Sequence, residues 1–427
     1  MLIHRHLCLH GGHGHGGGRG RHFHPLGKSA GGEGGGDAPP TKLTSRDQLT
    51  AMKKIREAEK IGSREYKRRI ERGLDLGLEA APSIQDRSIS LFSRTDHPLF
   101  AGINTFLKNP YVENINDIGK YDVAFLGAPF DSATTFRSGT RFGPQGVRRA
   151  SANFDAYSSD MGVDLVEQLK IGDAGDVFVI PSNNLKTFDQ VDLAVQHLHK
   201  NGVFPLICGG DHSLGYPDIR GTAPFIDGNV GIIHFDRHID ILDRDMDEIM
   251  HTCPWFHATN IKNAPPSNLV QIGIGGWIGN RGGVKIARER DTTVISMFDV
   301  DEWGIDACID IALECAWKNA KAVFLSFDID CLDLGSAPGT GTPEPGGFMA
   351  REALRAVRRV AKEGLCGMEL VEVSPPYDIA DTTSLMGTRV MLDVLGTLVQ
   401  NGHLGKRMTE EHARHEKQDK KEKKPKA

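Results

Sequence analysis

"NVGIIHFDRHID", residues 229–240, is the stretch on which the fold turns. Its first half, "NVGII", is apolar and rich in β-branched residues, the pattern of a strand covered on both faces. Its second half sets Asp236, His238 and Asp240 at alternate positions. Alternate side chains of a strand share one face. The spacing therefore predicts two carboxylates and an imidazole pointing together, with Arg237 and Ile239 turned to the other side.

Similar apolar stretches recur along the chain. They are "YDVAFLGA" (121–128), "VFPLICGG" (203–210), "NLVQIGIG" (268–275), "TTVISMF" (292–298), "AVFLSFDID" (322–330) and "GMELVEVS" (367–374). Helical spacing falls at 189–200, 306–319 and 350–363. Near-continuous apolar strands alternating with helices predict an α/β fold on a parallel sheet covered on both faces. Functional groups of such sheets collect at the carboxyl ends of the strands. Three strands end that way here: "CGGDHS" brings His212, "HFDRHID" brings Asp236, His238 and Asp240, and "LSFDIDCLD" brings Asp328 and Asp330, with Asp333 following.

Buried carboxylates are unfavourable alone and repel one another when gathered. Divalent cations among them make the arrangement stable. Four carboxylates and two imidazoles exceed a closed tetrahedral zinc site but suit two ions sharing bridging carboxylates. Two ions roughly 3.5–4 Å apart lower the pKa of a trapped water towards ~7. The residues thus point to binuclear metal-assisted hydrolysis.

Bulk properties exclude other classes. The chain has 427 residues, 39% hydrophobic and 25% charged, within the range of soluble globular proteins. A formal net charge of -5 gives no argument for a nucleic-acid partner. No apolar run approaches the ~18 residues of a membrane helix. Seven scattered cysteines without a Cys-x-x-Cys pair predict reduced thiols and a cytoplasmic location. Four segments are expected: a His- and Gly-rich disordered tail (1–40), a helical arm (41–94), a catalytic domain (95–405) and a charged disordered tail (406–427). The first tail has seven histidines between residues 4 and 24 and no acid before Glu33. Metal sequestration and, alternatively, organelle targeting compete there with plain disorder.

"GGDHS", "HFDRHID", "SFDIDCLD", "GTGTPEPGG" and "GAPFDSATTFRSGTRFGPQGVR" together resemble the arginase–agmatinase (ureohydrolase) family, in family order over residues 95–400. The resemblance implies a three-layer α/β/α sandwich with a mainly parallel sheet of about eight strands, assembled as a homotrimer or hexamer. It implies hydrolysis of a small guanidino substrate. Carried over, His212 ligates the first metal and His238 the second. Asp236 and Asp328 bridge, Asp240 completes the first site and Asp330 the second. Asp240 would also relay a proton, His251 in "MHTCPWFHA" would protonate the leaving nitrogen, and Glu372 in "MELVEVSPP" would accept hydrogen bonds from the guanidinium. That last role suits a planar, donor-only cation.

Departures narrow the substrate. Arg237 stands where family members often have alanine, and "IGIGGW" puts Gly275 at the arginine position of agmatinase "IGIRG" and adds Trp277. "HFDRHID", "MHTCPWFHAT", "IGIGGW" and "CGMELVEVSPPYDI" resemble nickel-dependent guanidine hydrolases. The implied reaction is attack of metal-bound hydroxide on guanidine, giving urea and ammonia. Trp255 or Trp277 would fill the space of a longer substrate's alkyl chain, with plain core or interface roles as the alternative. Agmatine, a guanidino acid and metformin are alternative substrates, and a metal-binding partner subunit is the non-enzyme alternative. A single-zinc relative of the deacetylase kind would carry fewer carboxylates. Ligand hardness favours Mn²⁺ and affinity favours Ni²⁺; the resemblance favours Ni²⁺, which would bring in nickel-delivery chaperones. Arg237, a cation behind a carboxylate-rich site, is expected to support a neighbouring element or subunit.

Overall fold

Side chains of a strand alternate between faces, and two separate apolar clusters take up the two faces here. Phe125, Leu206, Ile233, Ile272, Leu325 and Met368 pack into one cluster; Ala124, Ile207, Ile232, Leu269 and Phe324 pack into the other. Neighbouring residues of one strand thus serve opposite layers, which is why these strands read as continuous apolar runs. The computed structural model describes residues 99–405, together with Arg64 and Lys67. Those two are helical and exposed, within the predicted arm. The rest of the arm, both predicted tails and residues 95–98 lie outside the described residues.

The strands are β1 (Val123–Ala128), β2 (Tyr157–Ser158), β3 (Val163–Asp164), β4 (Ile171–Asp176), β5 (Phe204–Gly209), β6 (Asn229–Phe235), β7 (Leu269–Ile274), β8 (Thr293–Ser296), β9 (Ala320–Asp328) and β10 (Gly367–Val371). The helices are α1 (Gly143–Ser151), α2 (Leu165–Gln168), α3 (Asn184–Lys200), α4 (Gly215–Thr222), α5 (Pro254–Ala258), α6 (Arg281–Glu289), α7 (Met297–Trp303), α8 (Ile305–Trp317), α9 (Ala350–Ala361) and α10 (Thr382–Gln400). Eight strands form one sheet in the order β4-β1-β5-β10-β9-β6-β7-β8, every pair parallel. Strands β2 and β3 make a separate antiparallel pair. Helices α1, α8, α9 and α10 cover one face, and α3, α4, α5 and α6 cover the other. The architecture is the expected three-layer α/β/α sandwich.

Strand β4, "IGDAGD", was not among the expected strands. It is an edge strand whose buried Asp173 faces Arg148 of α1 at 2.8 Å, so polar pairing replaces apolar content. The expected strand 292–298 is shorter, because Ser296 caps α7 by accepting from Asp299 N. Among the described residues no helix is long and apolar enough to cross a membrane, and the described cysteines are all free thiols.

Candidate metal centre

One local device builds the centre three times. Just at or past the end of β5, β6 and β9, an aspartate accepts a hydrogen bond from the amide two residues on. Ser213 N donates to Asp211 Oδ1 (3.0 Å), His238 N to Asp236 Oδ1 (2.6 Å) and Asp330 N to Asp328 Oδ1 (2.8 Å). Short acidic side chains capture the amide freed when the ladder stops, and the chain turns there. This corrects the strand-alternation argument for Asp236, His238 and Asp240. Strand β6 ends at Phe235, and Asp240 turns at φ +40°, so the chain coils around the site instead of running past it.

The turns bring all six expected ligands together. His212 Nδ1 lies 3.0 Å from Asp236 Oδ2, 3.1 Å from Asp240 Oδ2 and 3.1 Å from Asp328 Oδ2. None of these contacts has hydrogen-bond geometry, and Nδ1 is buried without a partner. Donor atoms converging without bonding to one another are what a shared cation requires. His238 Nδ1 lies 3.1 Å from Asp330 Oδ2 and 3.4 Å from Asp236 Oδ1. Among the described residues three groups have ligand atoms within 4.8 Å of one another; His212–His234–Asp236 is one, and the expected ligands make the other two, His212–Asp236–Asp240–Asp328 and Asp236–His238–Asp330. Asp236 belongs to both of these two, as a bridging carboxylate must, whereas Asp328 falls only in the one with Asp240. Asp333 is not part of the cluster; it accepts from Gly335 N and Gly346 N.

The electrostatics are frustrated without added positive charge. Burial pushes Asp328 well above the usual carboxylate range and Asp330 up to about 6. Burial would also keep His212 and His238 neutral, but the surrounding carboxylates overcome it and raise both above the usual imidazole range. Divalent cations relieve both strains at once. Oxygen-rich donors with one or two imidazoles fit such ions.

Several positioning residues escaped the sequence reading. His234 Nε2 sits 2.7 Å from Asp236 Oδ2, and Gln271 Nε2 donates to His234 Nδ1 (3.1 Å), so the imidazole presents its N–H to the bridging carboxylate. Its place two residues before Asp236 on β6 was the available signal. Ser326 Oγ meets His212 Nε2 at 3.0 Å, and Thr342 Oγ1 donates to Asp330 Oδ2 at 3.1 Å. Such outer partners orient metal ligands.

His251 and Glu372 meet beside the ligands. His251 Nδ1 is 2.9 Å from Glu372 Oε1, which also accepts from His212 N at 2.9 Å. Thr135 N donates to His251 Nε2 at 3.0 Å, with Thr135 Oγ1 at 2.7 Å. Burial disfavours the His251 cation, yet Glu372, Asp240 and Asp211 outweigh it and raise its pKa to about 9. Glu372 holds φ +62°, and its Oε2 is buried without a partner. A non-glycine residue in that region costs energy that surrounding structure must offset.

A cavity of about 60 Å³ opens against these groups, lined among others by Asp240, His251, Glu372, Leu242, Ile278 and Thr342. Neither indole lines it. Trp255 is fully buried, its ring 5.4 Å from His212 and 4.8 Å from His234, while Trp277 is 97% exposed. The expectation that one of them occupies substrate space is therefore corrected. Trp255 is the core wall behind the imidazoles, and Trp277 turns outward because its backbone N–H is held by Glu344. Arg237 supports neighbouring elements, donating to Gly273 O (3.2 Å) and Pro345 O (3.3 Å).

Residues 121–396 match the arginase family. The chain is 34% identical to the guanidinopropionase of Pseudomonas aeruginosa over 310 residues, 71% of this chain and 94% of that protein. It is 33% identical to the agmatinase of Proteus mirabilis, over 72% of this chain and 97% of the relative. Among solved structures, proclavaminate amidinohydrolase from Streptomyces clavuligerus superposes with a TM-score of 0.65 at 31% identity, covering 71% of this chain and all of the other.

Proposed function

The chain belongs to the arginase family, whose members are binuclear-metal hydrolases of guanidino compounds, and from that premise we propose that its substrate is free guanidine. Guanidinium and one water give urea and ammonium. The lining of the cavity carries this reading. Among the described lining residues there is no lysine or arginine to receive a guanidino acid's carboxylate. Leu242 and Ile278 sit beside the neutral Thr252 and Asn280, so apart from Glu372 and the metal ligands no carboxylate in the lining waits for an agmatine ammonium.

His212, Asp236, Asp240 and Asp328 would hold one cation, and Asp236, His238 and Asp330 the other. Bound there, two divalent ions supply Lewis acidity and lower the pKa of a water. The rest is the chain's own work. Glu372 Oε2, buried and unpartnered, accepts from the planar cation and fixes its orientation. Asp240 lines both the ligand cluster and the cavity, so its carboxylate is placed to take a proton and return it to the departing ammonia. His251 holds Glu372 through Nδ1, while its Nε2 accepts from Thr135 N and lies beside Thr135 Oγ1. Ni²⁺ is the proposed ion, supported by the guanidine-hydrolase motifs. Mn²⁺ is the second reading, favoured by the carboxylate-rich donor set.

The test is urea release from guanidine, agmatine, 3-guanidinopropionate, 4-guanidinobutyrate and metformin, with Ni²⁺ or Mn²⁺ loaded separately. The highest kcat/KM falls on guanidine with Ni²⁺. A preference for any longer compound refutes the substrate, and a preference for Mn²⁺ refutes the ion.

A further inference from the structure

Three segments far apart in sequence meet on the outer wall of the cavity: 236–240 after β6, 273–280 running out of the end of β7, and 342–346. Two ionic side chains outside the ligand cluster fasten them. Arg237, 5% exposed, belongs to the first segment and donates from Nη1 to Gly273 O (3.2 Å) and from Nη2 to Pro345 O (3.3 Å). Glu344, 7% exposed, belongs to the third and accepts from the amides of Trp277 and, at 3.3 Å, Ile278. Each segment is thereby tied to the others by hydrogen bonds from ionic side chains to backbone.

Two consecutive glycines form the receiving surface. A Cβ on Gly275 would lie 2.7 Å from Arg237 Nη1, and one on Gly276, at φ +77°, would overlap the Glu344 carboxylate. Only glycine lets both ionic groups press against the turn in this conformation. Burying a guanidinium and a carboxylate costs desolvation that backbone hydrogen bonds offset only when the geometry is held. The turn is thus far more constrained than its irregular path requires.

What the turn delivers is Ile278, which lines the cavity while its backbone N–H is held by Glu344. We propose that Arg237 and Glu344 are specificity-determining positioning residues: they clamp turn 275–278 so that Ile278 closes the cavity to substituents on the guanidino group. Neither touches the reacting atoms. The proposal rests on the short-substrate reading above, and it accounts for "HFDRHID" and "IGIGGW" occurring in one chain: the arginine needs the first glycine, and the glutamate needs the second.

The test compares Glu344→Ala and Glu344→Gln with the unaltered protein. Metal content is measured, together with kcat/KM for guanidine, methylguanidine and 4-guanidinobutyrate and the affinity for alkylguanidines of increasing length by calorimetry. Glu344→Ala raises the longer-to-shorter ratio at least roughly tenfold, the scale on which one methylene is discriminated in a tight pocket. Metal content stays unchanged. Glu344→Gln, with one acceptor oxygen for two amides, moves the ratio part of the way. Ile278→Ala, which truncates the half-exposed side chain the clamp positions, shifts it in the same direction. An unchanged ratio in Glu344→Ala, or an equal loss on all substrates, overturns the proposal. If Glu344→Ala fails to fold, an unchanged ratio in Glu344→Gln overturns it instead. The unaltered protein's own preference judges the guanidine reading, and the change between variants judges the clamp, so the two fail separately.

Discussion

Replacing Glu372 by glutamine changes one charge and almost no shape. In the native site Oε1 takes two donors, His212 N and His251 Nδ1, both at 2.9 Å, and Oε2 is buried with none. A glutamine keeps those donors by presenting its carbonyl oxygen to them, which leaves its NH₂ in the place of Oε2. A guanidinium has donors only, so the group that would receive it becomes a group that opposes it. Removing one partner of a buried ion pair costs about 3–5 kcal/mol, and each 1.36 kcal/mol is tenfold in rate. Glu372→Gln therefore lowers kcat/KM by roughly two to four orders of magnitude. Metal content stays near native, while the unfolding midpoint falls, because the hydrogen bonds of Oε1 survive but the carboxylate that holds His251 in its charged form is gone. The assay is urea release across a range of guanidine concentrations, with elemental analysis of the same samples. A variant with full metal content and kcat/KM within about fivefold of native, under ~1 kcal/mol, refutes a direct contact between Glu372 and the substrate.

Asp236→Asn removes the carboxylate common to both ligand groups; at least one ion is lost on elemental analysis and turnover disappears, and retention of both ions with activity refutes the bridging role. Because carboxylates raise His212 and His238 above the usual imidazole range, both carry protons at neutral pH and must shed them to bind metal. Metal affinity therefore falls as pH falls, and calorimetry in buffers of differing ionisation heat detects proton release on loading; release of none refutes this. Trp255→Ala, in a fully buried position, costs about 3–5 kcal/mol of stability, whereas Trp277→Ala, at 97% exposure, stays within about 0.5 kcal/mol. Denaturant titration separates the two, and equal effects contradict their placement.

What was legible in the sequence followed from local spacing. The Asp-x-His-x-Asp and Asp-x-Asp pairs were readable because each ligand lies within a few residues of the turn that aims it, although the turn itself was mistaken for strand alternation. The central strands were readable because burial on both faces leaves a continuous apolar run. Strand β4 was not, since Arg148 satisfies its buried Asp173 from another element. Helix α10 was missed for the opposite reason. It is buried along most of its length, with Gly387, Thr388, Gly396 and Thr397 among apolar residues, so no polar face marks the period. The positions of Trp255 and Trp277 depend on which loop packs over which, and residue type says nothing of that. Arg237, Gly275, Gly276 and Glu344 acquire meaning only together, across 107 residues.

The order of the sheet also bears on when the site comes to exist. Strand β10 lies between β5, which leads to His212, and β9, which ends at Asp328, yet among the sheet's strands it is synthesised last. Until it is inserted, nothing spaces those two ligands, and Glu372 cannot receive the His212 amide from 160 residues upstream. At ~5–20 residues per second, the ribosome makes His212 roughly eight to thirty seconds before its partner. A nascent chain therefore carries metal-binding side chains long before it carries the complete two-ion site.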